Sequence, residues 1–211
     1  NLSYRVDGQV VENDPSYCAT SADLDALDFV DIDFLEHADW YSTLQFEATN
    51  LTRDMDNPRG HWLSLGRGCI FDCSFCGGGR ESHSVFAGRE KITLRSVDKV
   101  VDDIQRLAET GIDQVSFTLD PAILGPEYWK SLFAQLRKKG VRIGINNELF
   151  QLPSADFVKD FVQTADVSRS ELAFSLLSGS EKVRQINGKF YSNQTLNRLL
   201  SLLKEHQVPI F

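Results

Sequence analysis

The chain has 211 residues, of which 42% are apolar, 25% charged and 10% aromatic, with fourteen Gly and six Pro. That mixture excludes collagen-like, low-complexity and wholly disordered chains, and the length suffices to bury a real core. A net charge of −8 argues against general affinity for phosphate backbones, and no run approaches the roughly 18 to 20 apolar residues of a membrane helix.

The chain opens on Asn1 rather than Met. Leu2–Val6 and Gln9–Glu12 flank Asp7-Gly8, a dipeptide suited to the positive φ angles of a two-residue turn. A hairpin is expected there. Residues 1–58 hold 13 acids against two bases, whereas residues 59–211 hold 20 bases against 17 acids. An N-terminal hairpin and acidic linker segment, 1–58, is therefore set apart from a main domain, 59–211. The stretch from Asn13 to about Pro58 reads as irregular, either a connector lying against another surface or a solvated linker.

From His61 onward, strand and helix alternate. His61–Leu65 is a strand that runs into a cysteine-rich loop. Ser96 caps a helix carrying Val97, Val100, Val101, Ile104, Leu107 and Ala108 at helical spacing, with Gly111 as its stop. Gln114–Leu119 is the next strand and ends at Asp120-Pro121. Pro126 opens a second helix through Trp129, Leu132, Phe133 and Leu136, closed by Lys138-Lys139-Gly140. Val141–Asn146 is a third strand and Ser154–Val162 a third helix. Glu171–Leu177 is a fourth strand, Ser192 caps a helix through Leu203, and Val208–Phe211 reads as the start of a fifth strand. Strand–helix repeats imply a parallel α/β sheet, open or curled into a barrel. In either form the active site lies at the strands' C-terminal ends, which here are Cys69–Gly79, Asp120, Asn146–Glu148 and Ser175–Ser180.

Cys18 stands alone, while Cys69, Cys73 and Cys76 share the run Gly66-Arg67-Gly68-Cys69-Ile70-Phe71-Asp72-Cys73-Ser74-Phe75-Cys76-Gly77-Gly78-Gly79. Four cysteines make too few pairs for a disulfide scaffold of this length, so the cluster suggests metal ligation in a reducing, cytoplasmic setting. A cubane iron–sulfur cluster takes one thiolate per iron. Three ligands from one loop leave an iron open, which is the mark of a catalytic metal. A structural zinc site would need a fourth ligand, for which His61 and His83 are the nearest candidates.

The loop resembles that of the radical S-adenosylmethionine (SAM) enzymes, with the same cysteine spacing and an aromatic before the third Cys. Gly88 through Ile104 resembles the segment after the cluster loop in the subgroup that carries an N-terminal cobalamin-binding domain. The Leu2-Ser3-Tyr4-Arg5 hairpin and the acidic run Asp23–Phe29 resemble that subgroup's linker. The resemblance implies a partial (β/α) TIM-like barrel, here truncated after about four to five strands. It implies a 4Fe-4S cluster on Cys69, Cys73 and Cys76, and SAM bound to the open iron and cleaved to a 5′-deoxyadenosyl radical. It further implies an electron donor of flavodoxin or ferredoxin type and a small-molecule substrate whose identity the sequence does not carry. Cobalamin would come through a domain outside this chain, for methyl transfer or cyclisation.

By the same resemblance, Phe75 and Gly77 lie against the SAM adenine, Asp120 receives its ammonium, and Ser175 and Ser178 contact its ribose. The bland alternatives are an N-cap for Asp120 and ordinary turn serines for the other two. Asn146, Asn147 and Glu148 are candidates to face SAM or substrate, and Arg80 and His83 read either as a substrate contact or as a solvated loop, of which the loop is favoured. Two departures stand out. Leu119 fills the first of two positions that the subgroup often gives to acids, and Leu177-Ser178-Gly179 replaces its usual Glu-Ser-Gly.

Two other classes remain in view: a non-catalytic scaffold for zinc or an electron-transfer cluster, and an RNA-modifying enzyme. The acidic balance and the lack of a basic stripe weigh against nucleic acid. The chain reads as the central portion of a longer enzyme, with a strand edge near Ile210 open to pairing with another copy.

Overall fold

A computed structural model of the chain describes residues 3–13, 17–47 and 58–210, with side chains for all of these but 44–47. The first part of the chain runs β1 (Ser3–Val6), β2 (Gln9–Glu12), α1 (Ser21–Asp25), α2 (Ala38–Glu47), β3 (Gly60–Leu63), β4 (Gly66–Arg67), α3 (Arg80–Ala87) and β5 (Thr93–Leu94). There follow α4 (Val97–Glu109), β6 (Gln114–Phe117), α5 (Pro126–Lys139), β7 (Gly144–Leu149), α6 (Ala155–Thr164), β8 (Glu171–Phe174), α7 (Glu181–Ile186) and α8 (Asn193–Glu205). Two compact units result: Asn1–Leu27 with Gly66–Arg95, and Asp28–Leu65 with Ser96–Phe211. Among the described residues, no helix is long and apolar enough to cross a membrane.

The second unit is built on a parallel sheet in the order β3-β6-β7-β8. Spatial order follows chain order, with no reversal. A doubly wound sheet reverses at a switch point, whereas a barrel wall does not. The architecture is thus a partial TIM-like barrel, which decides between the two forms left open by periodicity. Leu172 N donates to Pro209 O at 3.0 Å and Leu172 bridges Ile210 in parallel, so the chain after α8 returns beside β8. Phe211 lies outside the described residues.

The two faces of this sheet differ because side chains alternate along each strand. Leu63, Val115, Phe117, Ile145, Leu149 and Leu172 form the apolar face. They pack with Ile104 and Leu107 of α4, Leu132 and Phe133 of α5, Phe157 and Phe161 of α6, and Leu203 of α8. Register places Trp62, Ser116, Asn146 and Glu171 in a row on the opposite face. That row is polar apart from Trp62, in contrast to the apolar face.

The expected helices from Ser96, Pro126, Ser154 and Ser192 are present, and Ser96, Ser154 and Ser192 each accept a backbone N–H as caps. The third strand is shifted. Gly140 takes a left-handed φ of 67° and Val141 N returns to Leu136 O at 3.1 Å, so Val141 closes α5 rather than opening a strand. β7 then starts at Gly144 and continues through Asn147 and Glu148, where pairing with β8 overrides weak strand propensity. Gly144 itself is required by close approach, because a Cβ there would stand 2.2 Å from the Arg169 carbonyl oxygen. Gly144→Ala is expected to lower the urea midpoint by an amount worth about 1–3 kcal/mol; an unchanged midpoint would contradict this packing.

The acidic stretch expected to be irregular contains α1 and α2. Thr20 and Asp23 cap α1 reciprocally, with Asp23 N donating to Thr20 Oγ1 and Thr20 N donating to Asp23 Oδ2. Phe29 and Val30 pack on the core of the second unit, and His61 Nε2 hydrogen-bonds Phe29 O at 2.7 Å. Asp28 is paired with Arg106 at 3.0 Å, which with two backbone amides holds its carboxyl down to about 2. From Asp28 on, the stretch is packed as part of the second unit rather than solvated; residues 48–57 lie outside the described residues.

Candidate functional site

In the first unit, the short antiparallel pair β4–β5 delivers the chain into the cysteine loop. Gly66 must lack a side chain here, since a Cβ would meet Thr93 O at 2.4 Å. None of the four cysteines is in a disulfide; Cys69 and Cys73 are half-buried and Cys76 is exposed. Phe71 N donates to Cys69 Sγ and Gly78 N to Cys76 Sγ, each at 3.4 Å. Amide donors of this kind tune a cluster's sulfurs. Cys76 N donates to Cys73 O at 3.0 Å, a turn that brings the second and third cysteines into one bend.

The loop closes on α3. Arg80 N donates to Phe71 O at 2.8 Å and Glu81 N to Asp72 Oδ1 at 2.7 Å. Arg80 Nη2 lies 2.8 Å from the other carboxylate oxygen of Asp72. The Glu81 amide, followed by the Arg80 charge, holds the Asp72 carboxyl below its ordinary range. Phe75 is 62% exposed and Gly77 has open space where a Cβ would stand. Both would be reachable by a flat ligand. Among the described residues no three His, Cys, Asp or Glu side chains converge as ligands of a single metal ion. A cubane asks for a different arrangement, because each thiolate takes its own iron. Three thiols on one loop, two already receiving amides, fit that donor set.

The second unit holds the other predicted residues. Asp120 is 1% exposed and braces two strand ends. Its Oδ1 accepts from Ala122 N at 2.8 Å, its Oδ2 from Phe150 N at 3.0 Å, and Asn147 Nδ2 lies 3.5 Å away. That geometry is the N-cap alternative extended across to β7, and it occupies both oxygens. Burial pushes the Asp120 carboxyl up to about 6 against the pull of those donors. A carboxyl raised in the fold is stabilising when protonated, so its contribution falls as pH rises from about 4 to about 6, by up to about 3 kcal/mol. In Asp120→Asn the stability gap to wild type should be widest near pH 4 and narrow toward neutrality in urea titrations. A gap that widens with pH would contradict the assignment, and Asp28 contributes equally to both proteins.

Asn146, Asn147 and Glu148 end β7 but divide between its faces. Asn147 turns to Asp120, while Asn146 and Glu148 lie on the opposite, polar face. Asn146 Nδ2 donates to Gln114 Oε1 at 3.1 Å, and Ser175 Oγ bonds Glu148 Oε1 across the β7–β8 pair. Among the described residues, Asn146 Oδ1 and Gln114 Nε2 are buried without a hydrogen-bond partner, which suits a face that receives a polar ligand. Ser178 is placed differently from Ser175. Its hydroxyl accepts from Ser180 N at 3.0 Å and its carbonyl from Arg184 Nη1 at 2.8 Å, just after Leu177 in a left-handed φ of 63°.

A family model described as the Radical SAM superfamily matches residues 63–211. The chain belongs to the radical SAM superfamily. Among solved structures it is similar to the radical S-adenosylmethionine methyltransferase TsrM from Kitasatospora setae with cobalamin and a 4Fe-4S cluster bound. The identity is 19% and the TM-score 0.51, over 73% of this chain and 28% of that one. TsrM with tryptophan substrate and the SAM analogue aza-SAM bound is matched equally well, at 19% identity and a TM-score of 0.51, over 72% of this chain and 29% of that one. The chain thus spans less than a third of the structures it matches. No curated protein matches the sequence.

For a radical SAM chain, the loop residues that sequence reasoning missed are Asp72, Gly79 and Arg80. Arg80 and His83 belong to α3 rather than a solvated loop. α3 buries none of its side chains, so it carries no apolar stripe to read; the Gly88 stop, at a left-handed φ of 60°, was its one local signal.

Proposed function

We propose that this chain binds a 4Fe-4S cluster through Cys69, Cys73 and Cys76 and SAM at the iron those thiolates leave open. The observation that carries the reading is the cysteine loop itself: three thiols outside any disulfide, with amides on two of the sulfurs, in a glycine-rich turn closed on a helix. When bound, the cluster and SAM together supply a 5′-deoxyadenosyl radical by one-electron cleavage of the sulfonium.

The residues of the chain hold and orient. Phe75 and Gly77 are the loop's surfaces for the adenine, and Ser175 and Ser178 are the candidates of the sheet unit for the ribose. Asp120 serves as a brace between strand ends rather than as a contact to the ammonium. Asn146 and Glu148, on the polar face, are the candidates for polar groups of SAM or substrate. A flavodoxin- or ferredoxin-like donor delivers the electron. The likeness to TsrM supports methyl transfer with cobalamin as the wider reaction, the cobalamin being held outside the two units described, with cyclisation as a second outcome of the same radical.

Anaerobic reconstitution with iron and sulfide, followed by metal and sulfide analysis, tests the reading. About four irons and four sulfides per chain are expected. Stoichiometric zinc without sulfide would overturn it and leave a structural metal scaffold.

A further inference from the structure

We propose that Asp72, with Arg80 as its partner, is a positioning residue that shapes the cysteine loop before the cluster arrives. The inference rests on the cluster reading above. Gly79 is the N-cap of α3 and has no side chain with which to satisfy the first-turn amides. Those amides are satisfied from behind instead. Arg80 N goes to the Phe71 carbonyl and Glu81 N to the Asp72 carboxylate, two residues that lie between the first and second cysteines. Residues 73–79 are thereby tied into a closed loop that contains Cys73 and Cys76.

Three observations make this a built device rather than an incidental cap. The Asp72 carboxylate is used on both oxygens, by Glu81 N at 2.7 Å and by Arg80 Nη2 at 2.8 Å. The fit is tight at Gly79, where a Cβ would stand 3.0 Å from Phe71 O and 3.1 Å from Asp72 Oδ1. Phe71, whose carbonyl takes Arg80 N, also donates its own N–H to Cys69 Sγ, so the first cysteine is joined to the closure. A loop already closed loses less conformational entropy when it takes up a cluster.

The test uses the full chain with Asp72→Ala, Asp72→Asn and Arg80→Gln, reconstituted anaerobically. Two quantities are read: the rate at which a ferrous chelator strips cluster iron, and amide hydrogen exchange at Glu81 in the cluster-free protein. Asp72→Ala should lose iron about tenfold faster, the worth of one helix cap, and should lose protection at Glu81. Asp72→Asn keeps an acceptor for Glu81 N and should restore most of both, and Arg80→Gln should fall between. Equal iron loss in Asp72→Ala and wild type overturns the proposal, as does iron loss in Asp72→Asn as fast as in Asp72→Ala. If Asp72→Ala does not fold, Asp72→Asn and Arg80→Gln carry the comparison, and iron loss at the wild-type rate in Arg80→Gln overturns the proposal. A wild-type chain that takes up no iron and sulfide overturns the cluster reading itself and the proposal with it.

Discussion

Cys69→Ala, Cys73→Ala and Cys76→Ala should each abolish the cluster, with the visible absorbance of the reconstituted protein falling by about tenfold or more. A cubane held by three thiolates has no spare protein ligand, so losing one leaves two irons without protein ligands. Cys18→Ala is the matched control. Cys18 is half-buried and lies far from the loop in sequence, and its loss should leave cluster content unchanged. A cluster that needs Cys18 as well as all three loop cysteines would instead place a fourth thiol on the metal. That result would replace the open-iron account with an electron-transfer site.

The largest effect on stability is expected from the aromatic layer between α5 and α6. Phe133 is fully buried, with ring centroids 5.4 Å from Phe157 and 6.3 Å from Phe161, and Trp129 meets Phe157 edge-on at 5.3 Å. These rings cover the apolar face of the sheet, so a hole here cannot be filled from solvent. Phe133→Ala should cost about 3–5 kcal/mol, a large share of the 5–15 kcal/mol that holds an ordinary domain together. For a chain of this length that corresponds to a fall in Tm of about 6–20 °C. Phe86→Ala, at a side chain 78% exposed, should change stability by less than about 0.5 kcal/mol. Equal effects at the two positions in thermal unfolding would contradict the core described above.

The family was legible because its signature resides in residue type and spacing. Three cysteines in one glycine-rich turn point to a metal centre whatever the surrounding fold. The helices from Ser96, Pro126, Ser154 and Ser192 were legible for a similar reason, since each pairs a cap or Pro with an apolar stripe. α1, α3 and α7 were not, because helices of five to eight residues leave too little period to detect. The shift of β7 came from a contest at Val141, where helix capping took a β-branched residue away from the strand. Asp72 and Asp120 mark the deeper limit. Asp72 caps an amide nine residues on, and Asp120 holds one thirty residues away. Such bonds depend on where the chain returns in space, which spacing along the sequence does not encode.

The central claim is that SAM meets an open iron on the Cys69–Cys76 loop. EPR of the reconstituted, reduced chain, recorded with and without SAM, tests it most directly. The account predicts a reduced-cluster signal whose g-values move when SAM is added, and which is lost in Cys73→Ala. A reduced cluster whose spectrum is the same with and without SAM would contradict it.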